Sequence, residues 1–152
     1  MSNFLRALLG LELRDEPLPA VADPRLVAAA ALMVEAARLD GAFGEAERGR
    51  IRGLLTERFA LSPDLADGLL AEAEQRSEAS TDWHGFTTAI KDGFDHAGRV
   101  DLVGMLWEVA YADGVLHDYE TSLLRRVAGL LYVSGAESAE ARARALRRLG
   151  QG

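Results

Sequence analysis

The chain has 152 residues, of which 49% are hydrophobic and 27% are charged, and this balance is typical of one soluble globular domain. It contains no cysteine, which excludes disulfides, thiol nucleophiles and cysteine-ligated zinc or iron–sulfur centres. The net charge of −7 argues against sequence-independent binding of nucleic acid, because phosphates are bound by clustered cations.

The first 24 residues are interpreted as an N-terminal extension, and residues 25–149 as the folded domain. The extension has apolar residues around Arg6 but no basic leader and no small-residue cleavage site, so we expect no secretory signal. The longest apolar run, LVAAAALMV at 26–34, is much shorter than the roughly 20 residues that cross a bilayer. These features predict a cytoplasmic protein without a transmembrane segment.

Helical patterns account for nearly all of the domain. Apolar residues recur at helical spacing, and no run shows the sustained alternation of a strand. Asp23 and Ser62 are predicted N-caps, each followed by a proline that suits the first helical position. The predicted helices cover about 25–39, 45–59, 63–77, 83–94, 99–113, 117–134 and 137–149. The fold class is therefore all-α, a compact bundle of about seven helices.

Two segments of the sequence repeat the same pattern, RLDGAFGEAERGRI at 38–51 and YADGVLHDYETSLL at 111–124. In both, an apolar helix ends at Asp-Gly and a new amphipathic helix follows. A shift of 73 residues aligns Glu35 with Glu108, Asp40 with Asp113, Gly41 with Gly114, Glu45 with Asp118, and Glu47 with Glu120. The pattern predicts an internal pseudo-twofold repeat of two helical hairpins, each covering the apolar face of the other.

The repeated acids sit at positions with distinct electrostatic properties. Asp40 and Asp113 lie at the negative end of the preceding helix dipole, which disfavours an anion unless it caps or binds something. Glu47 and Glu120 fall near the third position of the following helix, where a carboxylate can reach back to free amides. Each of these glutamates is expected to lean toward the aspartate of its own turn.

Glu35 and Glu108 lie within apolar runs, where an ionised carboxylate needs a partner. Arg38, Arg52 or Arg125 could supply the positive charge, and so could a bound cation. Oxygen ligands suit Ca²⁺ or Mg²⁺, whereas His117 would favour zinc at the second turn. The loops lack the ligand spacing of an EF-hand. Two interpretations therefore stay open: purely structural turn chemistry, or at least one functional metal site.

The segments EAARLDGAFGEAERGRIRGLL and LWEVAYADGVLHDYETSLLRRVAGLL resemble the two characteristic segments of the TerB family, tellurite-resistance protein B and its relatives. The resemblance covers about residues 26–134. It implies a bacterial, cytoplasmic bundle of about seven helices with twofold character, a role in resistance to tellurite and other stresses, and complexes at the inner membrane face. Gly44 and His117 depart from the family pattern, which usually has a small polar capping residue there.

The family resemblance also implies a set of acidic positions that are proposed to bind metal. In this chain they are Glu35, Asp40, Glu47, Glu108, Asp113 and Glu120. The cofactor expected from them is a divalent metal ion, Ca²⁺, Mg²⁺ or Zn²⁺.

The sequence contains no recognisable enzyme motif. It has no nucleophile elbow, no phosphate-binding glycine-rich loop and no His-Glu-x-x-His helix, and its three histidines are scattered. We therefore predict a protein that is not an enzyme and that works with protein partners, as a monomer or weak dimer. It is either a metal-responsive component of a stress-resistance system or an interaction module whose acidic turns are only structural.

Overall fold

The computed structural model describes residues 23–38, 43–79, 84–111 and 118–150. These residues form seven helices and no strand. The helices are α1 (Pro24–Ala37), α2 (Glu45–Glu57), α3 (Pro63–Ala79), α4 (His84–Gly93), α5 (His96–Ala110), α6 (Asp118–Leu130) and α7 (Gly135–Arg148). The predicted all-α class is confirmed.

Helix α1 is the central element of the bundle. Asp23 caps it, because its side chain accepts a hydrogen bond of 2.9 Å from the backbone N–H of Arg25. The alanine-rich run Ala28–Val34 is buried on every side, and α1 packs against α2, α3, α4 and α5. Small side chains permit this close approach of several helices at once.

Helices α2 and α3 form a hairpin beside α1. Helix α2 buries Ile51, Leu54 and Leu55 and packs against α3, α1 and α5. After the fully buried Phe59, the chain turns at Ala60, and Ser62 accepts a hydrogen bond of 3.3 Å from the backbone N–H of Leu65. The predicted N-cap at Ser62 is therefore confirmed.

Helix α5 is the second buried helix, with nine consecutive buried residues over 102–110. Asp95 begins it by accepting a hydrogen bond of 2.8 Å from the backbone N–H of Gly98. The Nη1 of Arg99 donates a hydrogen bond of 2.8 Å to the carbonyl of Phe94, the residue that follows α4. The corner between α4 and α5 is thus fixed by both a cap and an arginine.

Helices α6 and α7 pack against each other and against α5. Helix α6 ends in a Schellman motif, in which the N–H of Val133 bonds to the carbonyl of Ala128 at 2.9 Å and that of Tyr132 to Gly129 at 3.0 Å. Helix α7 begins in a capping box formed by Ser134 and Glu137.

The helix bounds differ from the predicted ones where a cap was not recognised. Helix α5 begins at His96 rather than near 99 because Asp95 caps it, and α7 begins at Gly135 rather than 137 because Ser134 does. With a shift of 73 residues, the bounds of α2 coincide with those of α6. The twofold symmetry of the two hairpins stays a prediction. None of the described helices is long and apolar enough to cross a membrane.

Candidate functional site

Four of the six predicted metal-binding residues lie within the described part of the chain. Glu35 is near the end of α1 and Glu108 near the end of α5, while Glu47 and Glu120 are each the third residue of the next helix, α2 and α6. Asp40 and Asp113 lie outside the described residues, as do Gly41, Gly114 and His117. The predicted position of the two helix-start glutamates is confirmed.

At the first acidic turn, Glu35 and Glu47 have different environments. Glu35 is partly exposed, and its Oε1 accepts a hydrogen bond of 2.7 Å from the hydroxyl of Ser77 on α3. Glu47 is only 7% exposed. Its Oε2 lies 3.4 Å from the point that a Cβ on the N-cap Gly44 would occupy, so the side chain leans back over the start of α2. This is the direction that the sequence predicts.

Two arginines flank Phe43 at the same turn. The guanidinium carbons of Arg48 and Arg38 lie 4.9 and 6.0 Å from the centroid of the Phe43 ring. Arg48 also pairs with Glu74, with Nη1 donating to Oε2 at 2.9 Å, and this hydrogen bond raises the pKa of Arg48. Arg38 pairs with Glu78 at 3.4 Å. The first turn is therefore joined to α3 by two ion pairs.

At the second acidic turn, Glu108 is only 3% exposed and lies between two arginines from distant parts of the chain. Its Oε2 accepts a hydrogen bond of 3.1 Å from Nη1 of Arg148 and lies 3.8 Å from Nη1 of Arg58. Burial, followed by the nearby charge of Arg148, lowers the pKa of Arg58. The charge of Glu108 is thus compensated by protein groups.

An aromatic and cationic cluster lies where α5 ends. The guanidinium carbon of Arg142 lies 5.4 Å from the centroid of the Trp107 ring, and its Nη2 donates to the hydroxyl of Tyr111 at 2.9 Å. Trp107 is a core residue, 1% exposed, and its indole N–H donates to Ser138 at 3.3 Å. These contacts fix the last turn of α5 against α7.

Glu120 is more deeply buried than Glu47, the equivalent glutamate at the first turn. The two residues are 3% and 7% exposed. Both positions place a carboxylate at the positive end of a helix dipole, where an anion is stabilised. The two acidic turns therefore share one arrangement of buried glutamate and helix start, although their neighbouring residues differ.

Sequence reasoning did not identify the arginines that contact Glu108. It named Arg38, Arg52 and Arg125 as candidate partners for the buried glutamates, whereas Arg58 and Arg148 hold Glu108 and Arg52 pairs with Asp67 at 2.6 Å. Arg148 is 40 residues from Glu108, so no local spacing could reveal the contact. The signal in the sequence was weak, because Arg58 and Arg148 are each recognisable only as a basic residue near the end of a predicted helix.

The described carboxylates do not by themselves form a metal site. Among the ranges that the structure describes, no group of three or more His, Asp or Glu side chains is placed to hold one. Glu35 contacts Ser77, and Glu108 contacts two arginines. Glu47 and Glu120 are the candidate ligands considered further, because both are buried carboxylates at the start of a helix. Their predicted partners, Asp40 and Asp113, fall outside the described ranges.

Comparison with known proteins gives one match. A family model described as tellurite resistance protein TerB matches residues 26–143, which is most of the chain. No curated protein matches the chain significantly, and no solved structure does.

Proposed function

The chain belongs to the tellurite resistance protein TerB family, and from this membership we propose that it is a non-catalytic stress-resistance protein that binds a divalent cation at its acidic turns. The direct ligands in this proposal are Asp40 and Glu47 at the first turn and Asp113 and Glu120 at the second. Glu35 and Glu108 belong to the same predicted set, but their role here is to fix the ends of α1 and α5.

The burial of Glu47 and Glu120 is the observation that supports cation binding. Each is at least nine-tenths buried, and each follows an Asp-Gly turn by the same number of residues. Two carboxylates brought together in such a turn repel, and a cation relieves the repulsion. A bound Ca²⁺ or Mg²⁺ would supply positive charge to oxygen ligands, and His117 gives zinc a nitrogen ligand at the second turn.

A second candidate function is a protein-interaction module whose acidic turns are purely structural. The ion pairs of Glu108 with Arg58 and Arg148 favour it, because two arginine side chains compensate the charge of one of the repeated acids. In either case we propose a bacterial, cytoplasmic protein that acts through protein partners, including partners at the inner membrane face. We expect it to be a monomer or weak dimer.

Calorimetric titration of the full chain with Ca²⁺, Mg²⁺, Mn²⁺ and Zn²⁺ tests the proposal. Glu47→Gln and Glu120→Gln should each weaken binding of the ion that the wild type takes. Glu45→Gln is the matched control, because Glu45 lies in the same first turn of α2 but is exposed. Its affinity for the ion should equal that of the wild type.

The two candidate functions predict opposite signs for the change in thermal midpoint that these substitutions cause. The midpoints are measured with and without the ion. If the acids hold a cation, Glu120→Gln and Asp113→Asn should stabilise the metal-free protein, because a like-charge pair is relieved. If the acids are helix caps, the same changes should cost about 0.5–2 kcal/mol and be indifferent to every ion. The second result would exclude the metal site and leave the interaction module.

A further inference from the structure

A groove lies at the opposite end of α1 from the acidic turns. It has a volume of about 470 Å³, is lined by α1, α3 and α4, and is open to solvent on one side. Its lining residues are Pro24, Val27, Ala28, Arg76, Gly85, Phe86 and Ala89. The volume falls within the range of roughly 300–1,000 Å³ that small-molecule sites occupy. Ala28 and Glu35 are separated by about 10 Å along the helix axis, so the part of the groove that α1 forms lies about two turns from Glu35.

The walls of the groove are mainly apolar. Val27 and Ala28 are buried in the core, and Phe86 and Ala89 lie three residues apart on one side of α4. Gly85 adds no side chain, and no described atom lies within 4 Å of the point that its Cβ would occupy. An apolar chain placed in this groove would exchange water for contact with both helices.

Arg76 is the charged member of the lining, and it is 61% exposed at the mouth of the groove. Its Nε donates a hydrogen bond of 2.9 Å to Oε1 of Glu72, one turn earlier on α3. A guanidinium has five N–H donors, and this contact uses the Nε donor alone. Glu72 thereby orients the guanidinium, while the two terminal amino groups have the geometry that binds a carboxylate through two parallel hydrogen bonds.

We propose that the groove binds a small amphipathic anion, an acyl chain with a carboxylate head group. The acyl chain lies between α1 and α4, against Val27, Ala28, Phe86 and Ala89, and the carboxylate pairs with the terminal amino groups of Arg76. Glu72 acts as a positioning residue for Arg76. The opposite signs of the guanidinium and the head group set the orientation of the ligand, with its charge at the solvent side.

Calorimetric titration of the full chain with decanoate and with 1-decanol tests this site. The two probes share an apolar chain and differ in head-group charge. Because ion pairs of exposed groups are weak, decanoate should bind roughly two- to fivefold more tightly than 1-decanol. Arg76→Gln should remove this preference while binding of 1-decanol persists.

Gly85→Trp is the blocking variant, because Gly85 lines the groove and a large side chain there has room to form. It should abolish binding of both probes. Gly68→Trp is the matched control: Gly68 is also helical and exposed, and no described atom lies within 4 Å of its Cβ position. Circular dichroism of each variant checks that the helical fold is retained.

Three results would overturn the proposal. The first is the absence of saturable decanoate binding to the wild type. The second is binding that Gly85→Trp leaves intact, which would place the site elsewhere. The third is an unchanged preference for decanoate in Arg76→Gln, which would exclude the proposed role of the guanidinium.

Discussion

Ala60 and Tyr132 adopt left-handed backbone conformations, with φ values of 57° and 60°. Both positions therefore carry strain that glycine would avoid. Tyr132 follows the C-cap of α6, where glycine is usual, and Lys91 Nζ lies 4.8 Å from the centroid of its ring. This cation–π contact offsets part of the strain at Tyr132. Ala60 is exposed, and its methyl group cannot form a cation–π contact of this kind.

Ala60→Gly should therefore stabilise the protein. The left-handed conformation costs alanine about 1–2 kcal/mol, and glycine loses about 0.5–1 kcal/mol more in backbone entropy on folding. The expected net gain in the free energy of unfolding is about 0.5–1 kcal/mol, measured by denaturant melts.

The control for this substitution is Ala71→Gly, at an exposed position in the interior of α3. It should lower the free energy of unfolding by about 1 kcal/mol, because alanine is the better helix former. Equal losses in the two variants would contradict the assignment of strain to Ala60.

At the scale of a helix, Glu137 shows how one side chain fixes the start of α7. Its Oε1 accepts a hydrogen bond of 3.0 Å from the backbone N–H of Ser134, whose hydroxyl accepts from the N–H of Glu137 at 3.1 Å. Its Oε2 lies 2.6 Å from Nε2 of His96, the first residue of α5. The backbone hydrogen bond from Ser134, together with that of His96, lowers the pKa of Glu137 to about 2.

This lowered pKa predicts a specific acid dependence of stability. Below its ordinary value of 4.5, the unfolded chain takes up a proton at Glu137 while the folded chain does not. The stability contributed by the ionised carboxylate is thus complete above pH 4.5 and is lost as the pH falls toward 2. Denaturant melts between these values should show the difference between wild type and Glu137→Gln shrinking toward zero.

Glu140→Gln, at an exposed position of the same helix, is the reference for that experiment. Its difference from the wild type should stay small across the range. A difference for Glu137→Gln that is constant with pH would show that the carboxylate charge contributes nothing.

Several features that depend on neighbours in the sequence could be predicted, and contacts between distant residues could not. The caps Asp23 and Ser62 were recognisable because a proline and an apolar helical pattern follow each of them. The start of α7 was misplaced because the preceding helix was predicted to extend to Ser134, although Ser134 and Glu137 have the spacing of a capping box. The charge of Glu108 was recognised as needing a partner, but the sequence does not reveal which of many arginines reaches it.

At the scale of the whole molecule, Glu108 joins three helices. Arg58 follows the end of α2, Arg148 is the last residue of α7, and both contact the carboxylate of Glu108 on α5. Glu108→Gln would remove one of the two carboxylates that compensate Arg58, whose side chain is 20% exposed, and leave Asp101 as the other. Removal of one partner of a buried ion pair is strongly destabilising for that reason.

We expect Glu108→Gln to lower the free energy of unfolding by about 2–3 kcal/mol, less than the roughly 3–5 kcal/mol of a fully buried pair. The expected loss is below that range because Arg148 is only partly buried, with a side chain that is 46% exposed. Arg148→Gln should cost less than Glu108→Gln, because Arg58 still compensates the carboxylate. Glu57→Gln, at the exposed end of α2, should stay within about 0.5 kcal/mol of the wild type in the same denaturant melts. A similar small effect for Glu108→Gln would contradict the structural role of its contacts with Arg58 and Arg148.

The central place of α1 has a consequence for the order in which the backbone opens. Amide hydrogens exchange with solvent through local and global unfolding, and α1 is covered by four other helices, whereas α6 packs mainly against α5 and α7. Deuterium uptake should therefore be slowest at the amides of residues 29–34 and should report the global unfolding free energy there. The amides of α6 should exchange earlier, through a partial opening that leaves α1 and its neighbours protected. Earlier exchange in α1 than in α6 would show that the bundle opens from its centre.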